Sequence, residues 1–228
     1  MPPMRPRSPA RAAGRPGVAL ALLLTALAFP APTLAQTADP AAFAAELRRE
    51  GLRIREAERA ALPADAPDPD AISPRFDLLT STGERLSAAD LKGRPYALFF
   101  GYVADQSICS VVLPRIGGAM YMLQDAGIDL VPIIVTIDPQ RDTPQAMAGA
   151  LPRYHEKLIG LTGTPAQLEA VRDAFHVVLE KAAELPDGSP VYIHGSYVYL
   201  VGAEGEVLTL LPPLMSPARM AQVFASYL

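Results

Sequence analysis

Cys109 is the one cysteine in this chain, and Asp105 stands four residues before it in Asp105-Gln106-Ser107-Ile108-Cys109. The stretch follows an apolar run, Tyr96 to Tyr102, and opens a helix-like segment. A thiol does redox, nucleophilic or metal-ligand chemistry as its thiolate. A helix N-terminus lowers the thiol pKa, while a carboxylate one turn away raises it. A bound cation relieves that conflict. Dithiol–disulfide exchange within one molecule needs a resolving sulfur, and the chain has none. An autonomous dithiol oxidoreductase is therefore not expected. Each residue also has a plain structural use. Asp105 suits a helix N-cap, and a free cysteine is commonly a small buried hydrophobe.

Three histidines complete the chemistry-bearing set. His194 lies in Val191-Tyr192-Ile193-His194-Gly195-Ser196, just before a strand. His155, in Tyr154-His155-Glu156-Lys157, reads as an exposed helix end. His176 follows Phe175 near another helix end. Neither of the last two has ligand spacing to a partner. Met120 and Met122 offer soft thioethers, but they lie about three helical turns from Asp105 at ~1.5 Å per residue. Their expected role is packing.

The elements that must position these residues alternate between strand and helix. Phe76 to Leu79 reads as a strand, followed by the turn Ser81-Thr82-Gly83-Glu84. Ser87 has the look of a helix cap. The strand Tyr96 to Tyr102 leads into a helix from about Ser107 to Asp125, which Gly127 could end. Leu130 to Ile137 is β-branched and apolar, as a central strand buried on both faces would be. Pro132 is an objection to it, since proline removes a ladder donor. Thr143-Pro144, Thr164-Pro165 and Ser216-Pro217 each set a hydroxyl at N-cap and proline at the first helical position. Tyr197 to Val201 and Glu206 to Leu211 read as a hairpin. The order predicts an α/β fold: a central mixed sheet flanked by helices, with a C-terminal antiparallel strand pair.

The N-terminus reads as a leader. Arg5, Arg7, Arg11 and Arg15 precede the apolar run Val18 to Phe29, which only Thr25 interrupts, and Thr33-Leu34-Ala35 resembles a cleavage site. Residues 1–35 are thus expected as a signal peptide or an uncleaved anchor. The product is exported: periplasmic, or membrane-anchored and facing the periplasm. Residues 36–71 are expected as a tether with a short helix around Phe43, Leu47 and Ile54, broken by Pro63, Pro67 and Pro69. Residues 72–228 form the domain. Loss of the four leader arginines shifts the formal charge from -4 to about -8. That balance argues against nucleic acid as a partner, and the only expected membrane contact is through an uncleaved N-terminal segment.

Phe99-Phe100-Gly101-Tyr102, Thr136-Ile137-Asp138-Pro139-Gln140-Arg141-Asp142-Thr143, Leu161-Thr162-Gly163-Thr164 and His194 occur in an order that resembles the Sco/SenC family. The resemblance spans roughly residues 72 to 228. It implies a thioredoxin-like fold, which keeps its redox or metal chemistry at the turn between a strand and the next helix. It also implies a role in copper delivery to cytochrome c oxidase. A respiratory oxidase subunit or a copper-carrying protein would then be the partner. The family holds copper through two thiolates, three residues apart, and one histidine. Carried over, the second thiolate falls on Cys109 and the imidazole on His194. The first thiolate position holds Asp105. The prolines usual after each cysteine are Gln106 and Ser110, and the acidic residue often found before the histidine is Ile193.

A carboxylate in place of a thiolate weakens Cu(I) binding, since Cu(I) prefers sulfur, and tilts the set toward Cu(II). Zinc also accepts oxygen, sulfur and nitrogen together. Asp138 could be an outer partner for one ligand, or could hold its loop with Arg141 and Asp142 through turn hydrogen bonds and an ion pair. The alternative function is a thioredoxin-fold interaction module without metal or redox activity. A one-cysteine peroxidase would need other residues where Gln106 and Tyr102 stand.

Overall fold

The computed structural model describes residues 39–103, 109–184, 188, 190–195 and 197–228. The expected leader, residues 1–35, lies outside them. In chain order the elements are α1 (Pro40–Ala60), β1 (Asp77–Thr80), β2 (Arg85–Ser87), β3 (Tyr96–Gly101) and α2 (Cys109–Asp125). Next come β4 (Val131–Thr136), α3 (Pro144–Ala150), β5 (Ile159–Thr162) and α4 (Pro165–Ala174). The last are β6 (Leu179–Glu184), β7 (Pro190–His194), β8 (Val198–Val201), β9 (Val207–Leu211) and α5 (Pro217–Ala225).

Seven strands form one mixed sheet in the order β2-β1-β5-β4-β3-β8-β9. β3, β4 and β5 run parallel, while β1, β8 and their outer neighbours pair antiparallel. β3 and β4 are buried at every residue. Their unbroken apolar runs require that, because a parallel strand at mid-sheet is covered on both faces. Pro132 fits for a local reason. The Val131 N–H bonds toward β3, at the Pro95 carbonyl. Alternation then turns residue 132 the other way, where pairing with β5 starts only at Ile133. No ladder donor is lost.

The three hydroxyl-proline signals cap helices as expected. Thr143, Thr164 and Ser216 accept N–H bonds three residues on, at 3.2, 3.3 and 3.3 Å. Thr164 and Gln167 complete a capping box. Gly127 ends α2 at φ 67°. The Gly127 and Ile128 N–H groups bond back to the Gln124 and Leu123 carbonyls, which is the Schellman pattern.

Two features depart from the sequence reading. β6 and β7, unassigned there apart from the histidine, pair antiparallel as a separate two-stranded sheet. The leucine-threonine-glycine-threonine stretch begins inside a further strand, β5, which ends at Thr162. Within the expected tether lies α1, which is 21 residues long and buries Ala44, Leu47 and Gly51. A Cβ on Gly51 would overlap the Gln222 carbonyl of α5, so the two helices cross in direct backbone contact. Glu58 pairs with Arg219, and Arg55 donates to the Ser226 carbonyl at 3.3 Å. None of the described helices is long and apolar enough to cross a membrane.

Candidate metal site at the end of the third strand

Side-chain hydrogen bonds fasten the C-terminal ends of β3 and β4 together. Asp142 is fully buried. Its carboxylate accepts the Val103 N–H at 2.8 Å and the Thr136 hydroxyl at 2.8 Å. Thr136 Oγ1 in turn accepts the Asp138 N–H at 2.9 Å. The loop 138–142 closes on itself through the Asp142 N–H and the Asp138 carbonyl, 2.9 Å apart. Asp138, 3% exposed, forms an ion pair with Arg141 Nε. The whole loop is thus pinned beside the segment that leaves β3 for α2.

His194 ends β7, where it pairs with Leu179 of β6. Its ring is half-buried and stands edge-on to Phe99 and Tyr102, with centroids 6.4 and 6.5 Å away. Phe99 lies within β3 and Tyr102 directly follows it, so the imidazole sits beside the C-terminal end of β3. His194 Nδ1 lies 3.1 Å from the Gly195 carbonyl. A carbonyl only accepts, so Nδ1 carries the proton in the neutral ring. The lone pair is then on Nε2, the tautomer that lets Nε2 ligate a metal. A cavity of about 450 Å³ opens beside His194, lined also by Pro63, Pro67, Tyr197, Pro212 and Pro213.

The other expected site residues are distributed as follows. Asp105 lies outside the described residues. Cys109 is the first residue of α2, and its side chain also lies outside the description. Asp138 sits in the pinned loop, engaged with Arg141. Among the described residues, no three His, Cys, Asp or Glu side chains gather around one point. The chain therefore brings the His194 ring to the end of β3 and starts α2 at Cys109.

Of the other two histidines, one is not where the sequence suggested. His155 is buried rather than exposed, at 2% of its free area. Its ring packs on Tyr121 of α2, 4.4 Å between centroids. Nδ1 accepts the Lys157 N–H at 3.2 Å, so the neutral ring carries its proton on Nε2, 3.2 Å from Gln124 Oε1. Burial holds this imidazole below its ordinary pKa, and Lys157 adds to the effect while Glu156 opposes it. His176 takes the left-handed residue that stops α4, at φ 55°. Its N–H and that of Val177 cap the Asp173 and Arg172 carbonyls.

Sequence reasoning missed three contacts around His194. Arg141 lies over the Tyr102 ring, 5.2 Å from its centroid. Arg141 Nη2 donates to the Pro190 carbonyl at the start of β7, at 3.2 Å. Tyr192 meets Tyr102 edge-on at 6.5 Å. The charged loop after β4 was the available signal, but its reach to β7 depends on a strand pair not read from the sequence.

Residues 64–228 match SCO1/SenC. The chain belongs to that family. A SCO2-like protein of Rickettsia conorii is 34% identical over 149 residues, covering 64% of this chain and 72% of that protein. The crystal structure of Arabidopsis thaliana ScoI with copper bound superposes with a TM-score of 0.63 at 28% identity, covering 68% of this chain and 96% of that one. The structure of Bradyrhizobium japonicum ScoI with copper bound gives 0.62 at 29% identity, covering 69% and 100%. The fold is thus the thioredoxin-like α/β fold of Sco proteins, as the sequence predicted.

Proposed function

We propose that this chain is an exported copper carrier of the Sco type, which hands its cargo on during assembly of a respiratory oxidase. Copper is the cargo, and the chain is a carrier rather than a catalyst of turnover. Cys109, His194 and Asp105 are the proposed ligands, and Asp138 acts through its loop. The observation that carries this reading is the His194 ring. Its proton is committed to the Gly195 carbonyl, and it lies against Tyr102, from which the chain runs on to Cys109. Two solved relatives at 28% and 29% identity contain copper.

The donor set determines which ion is held best. One thiolate and one imidazole still suit Cu(I), but a carboxylate as third donor favours Cu(II). The purified protein, titrated with Cu(I) and with Cu(II) against a competing chelator, tests this. Submicromolar binding, lost in Cys109→Ser and His194→Ala, is the expected result.

A second reading keeps the scaffold and drops the metal. Asp105, Gln106, Ser110 and Ile193 stand at four positions where the Sco pattern has other residues, and these favour it. The chain would then be an interaction module. Absence of binding, or binding indifferent to both substitutions, supports that reading and contradicts the first.

A further inference from the structure

Arg141 touches three parts of the molecule at once. Nε pairs with the buried Asp138 carboxylate in its own loop. Nη2 donates to the Pro190 carbonyl, the first residue of the strand that ends in His194. The guanidinium plane covers the Tyr102 ring, 5.2 Å from its centroid. The Tyr102 ring makes edge-type contacts with the His194 ring and with Tyr192 of the same strand, each at 6.5 Å between centroids. Thus one cation contacts β7 at its beginning, and through Tyr102 it meets β7 at its middle and its end.

Leu179 and Tyr192 pack the β6–β7 pair against the main core, and Arg141 ties it to the loop after β4. The pair is a two-stranded sheet separate from the main one, β6 is exposed over most of its length, and such a pair is marginal without outside packing. The direction in which His194 points therefore depends on what holds the pair.

We propose that Arg141 is the positioning residue for His194: it fixes the β6–β7 pair at Pro190 and clamps Tyr102 against the imidazole. The proposal deepens the copper-carrier reading and rests on it for its purpose, though not for its geometry. The chemistry needs arginine. A planar fork serves a carboxylate, a carbonyl and an aromatic face together, whereas a lysine ammonium is a point charge that cannot.

Arg141→Lys is the informative change. It keeps a cation beside Asp138, whereas Arg141→Ala leaves that carboxylate buried without its arginine and invites unfolding. Two readouts separate the outcomes. In the metal-free protein, nuclear Overhauser contacts between the Tyr102 and His194 rings report the clamp directly. In the copper titration, affinity falls about tenfold or more, the scale set by loss of outer groups that orient a ligand. The expected result is loss of the ring contacts with the rest of the amide spectrum unchanged, together with the weaker binding. Retained ring contacts in Arg141→Lys overturn the proposal. So does loss of the ring contacts together with the whole folded spectrum, since Arg141 would then serve general stability. If wild type takes up no copper, the carrier reading fails while the ring contacts still decide the positioning role.

Discussion

Asp142 and Val103, 39 residues apart in sequence, are joined by a hydrogen bond of 2.8 Å from the Val103 N–H to the buried carboxylate. The bond closes the end of β3 onto the loop after β4, at the place where the chain departs for Cys109. The Thr136 hydroxyl donates to the same oxygen at 2.8 Å. One acid therefore satisfies two donors that would otherwise be buried without acceptors.

Asp142→Ala removes the acceptor and leaves both donors unsatisfied in the interior. Bonds to a charged acceptor contribute about 1.5–3 kcal/mol each, so a stability loss of roughly 3–6 kcal/mol is expected. Asp142→Asn keeps one carbonyl oxygen and should lose about half as much. Urea unfolding measures both. Equal, negligible losses would show that water already serves Val103 and Thr136.

Gly51 decides whether residues 40–60 belong to the domain. Any side chain there meets the Gln222 backbone of α5. Gly51→Leu should lower stability by about 1–3 kcal/mol, as overpacking does. It should also make α1 sensitive to limited proteolysis. A neutral substitution, with α1 cut equally fast in wild type, would mean that the helix is not docked in solution.

His155 gives the folded protein a pH dependence whose sign is fixed by its environment. Burial lowers the folded pKa, so the unfolded chain binds the proton more readily. The stabilising contribution is complete above the ordinary histidine value of about 6.5 and declines as pH falls below it. Protonation at Nδ1 would also oppose the bond from the Lys157 N–H. Urea midpoints at about pH 7.5 and pH 5.5 should differ more in wild type than in His155→Gln. An identical difference in both proteins would remove His155 from the account.

The parts of this fold that were legible in sequence are those set by local rules. β3 and β4 announce themselves as unbroken apolar runs, and Thr143, Thr164 and Ser216 as caps before proline. The β6–β7 pair was not legible. Leu179-Glu180-Lys181-Ala182-Ala183-Glu184 carries helix-favouring residues in a polar setting, and only pairing with β7 makes it a strand. His155 was misjudged for the same kind of reason. Its neighbours Glu156 and Lys157 look exposed, but Tyr121 and Gln124 arrive from α2 to cover the ring. His194 was singled out as a candidate by its place in the Sco pattern. The Arg141 contact with β7 was not legible, because it spans 49 residues of sequence.

Restoring sulfur at position 105 tests the reading of the donor set. Asp105→Cys supplies a second soft ligand, so Cu(I) affinity should rise by at least about tenfold while Cu(II) preference falls. Chelator competition with each oxidation state measures this. Unchanged Cu(I) affinity would mean that position 105 does not face the metal.

X-ray absorption at the copper edge reads the ligands themselves. For the copper-loaded protein the account predicts one sulfur neighbour and one imidazole in the scattering pattern. The sulfur should disappear in Cys109→Ser and the imidazole in His194→Ala. A spectrum with no sulfur, or one that neither substitution alters, would contradict it.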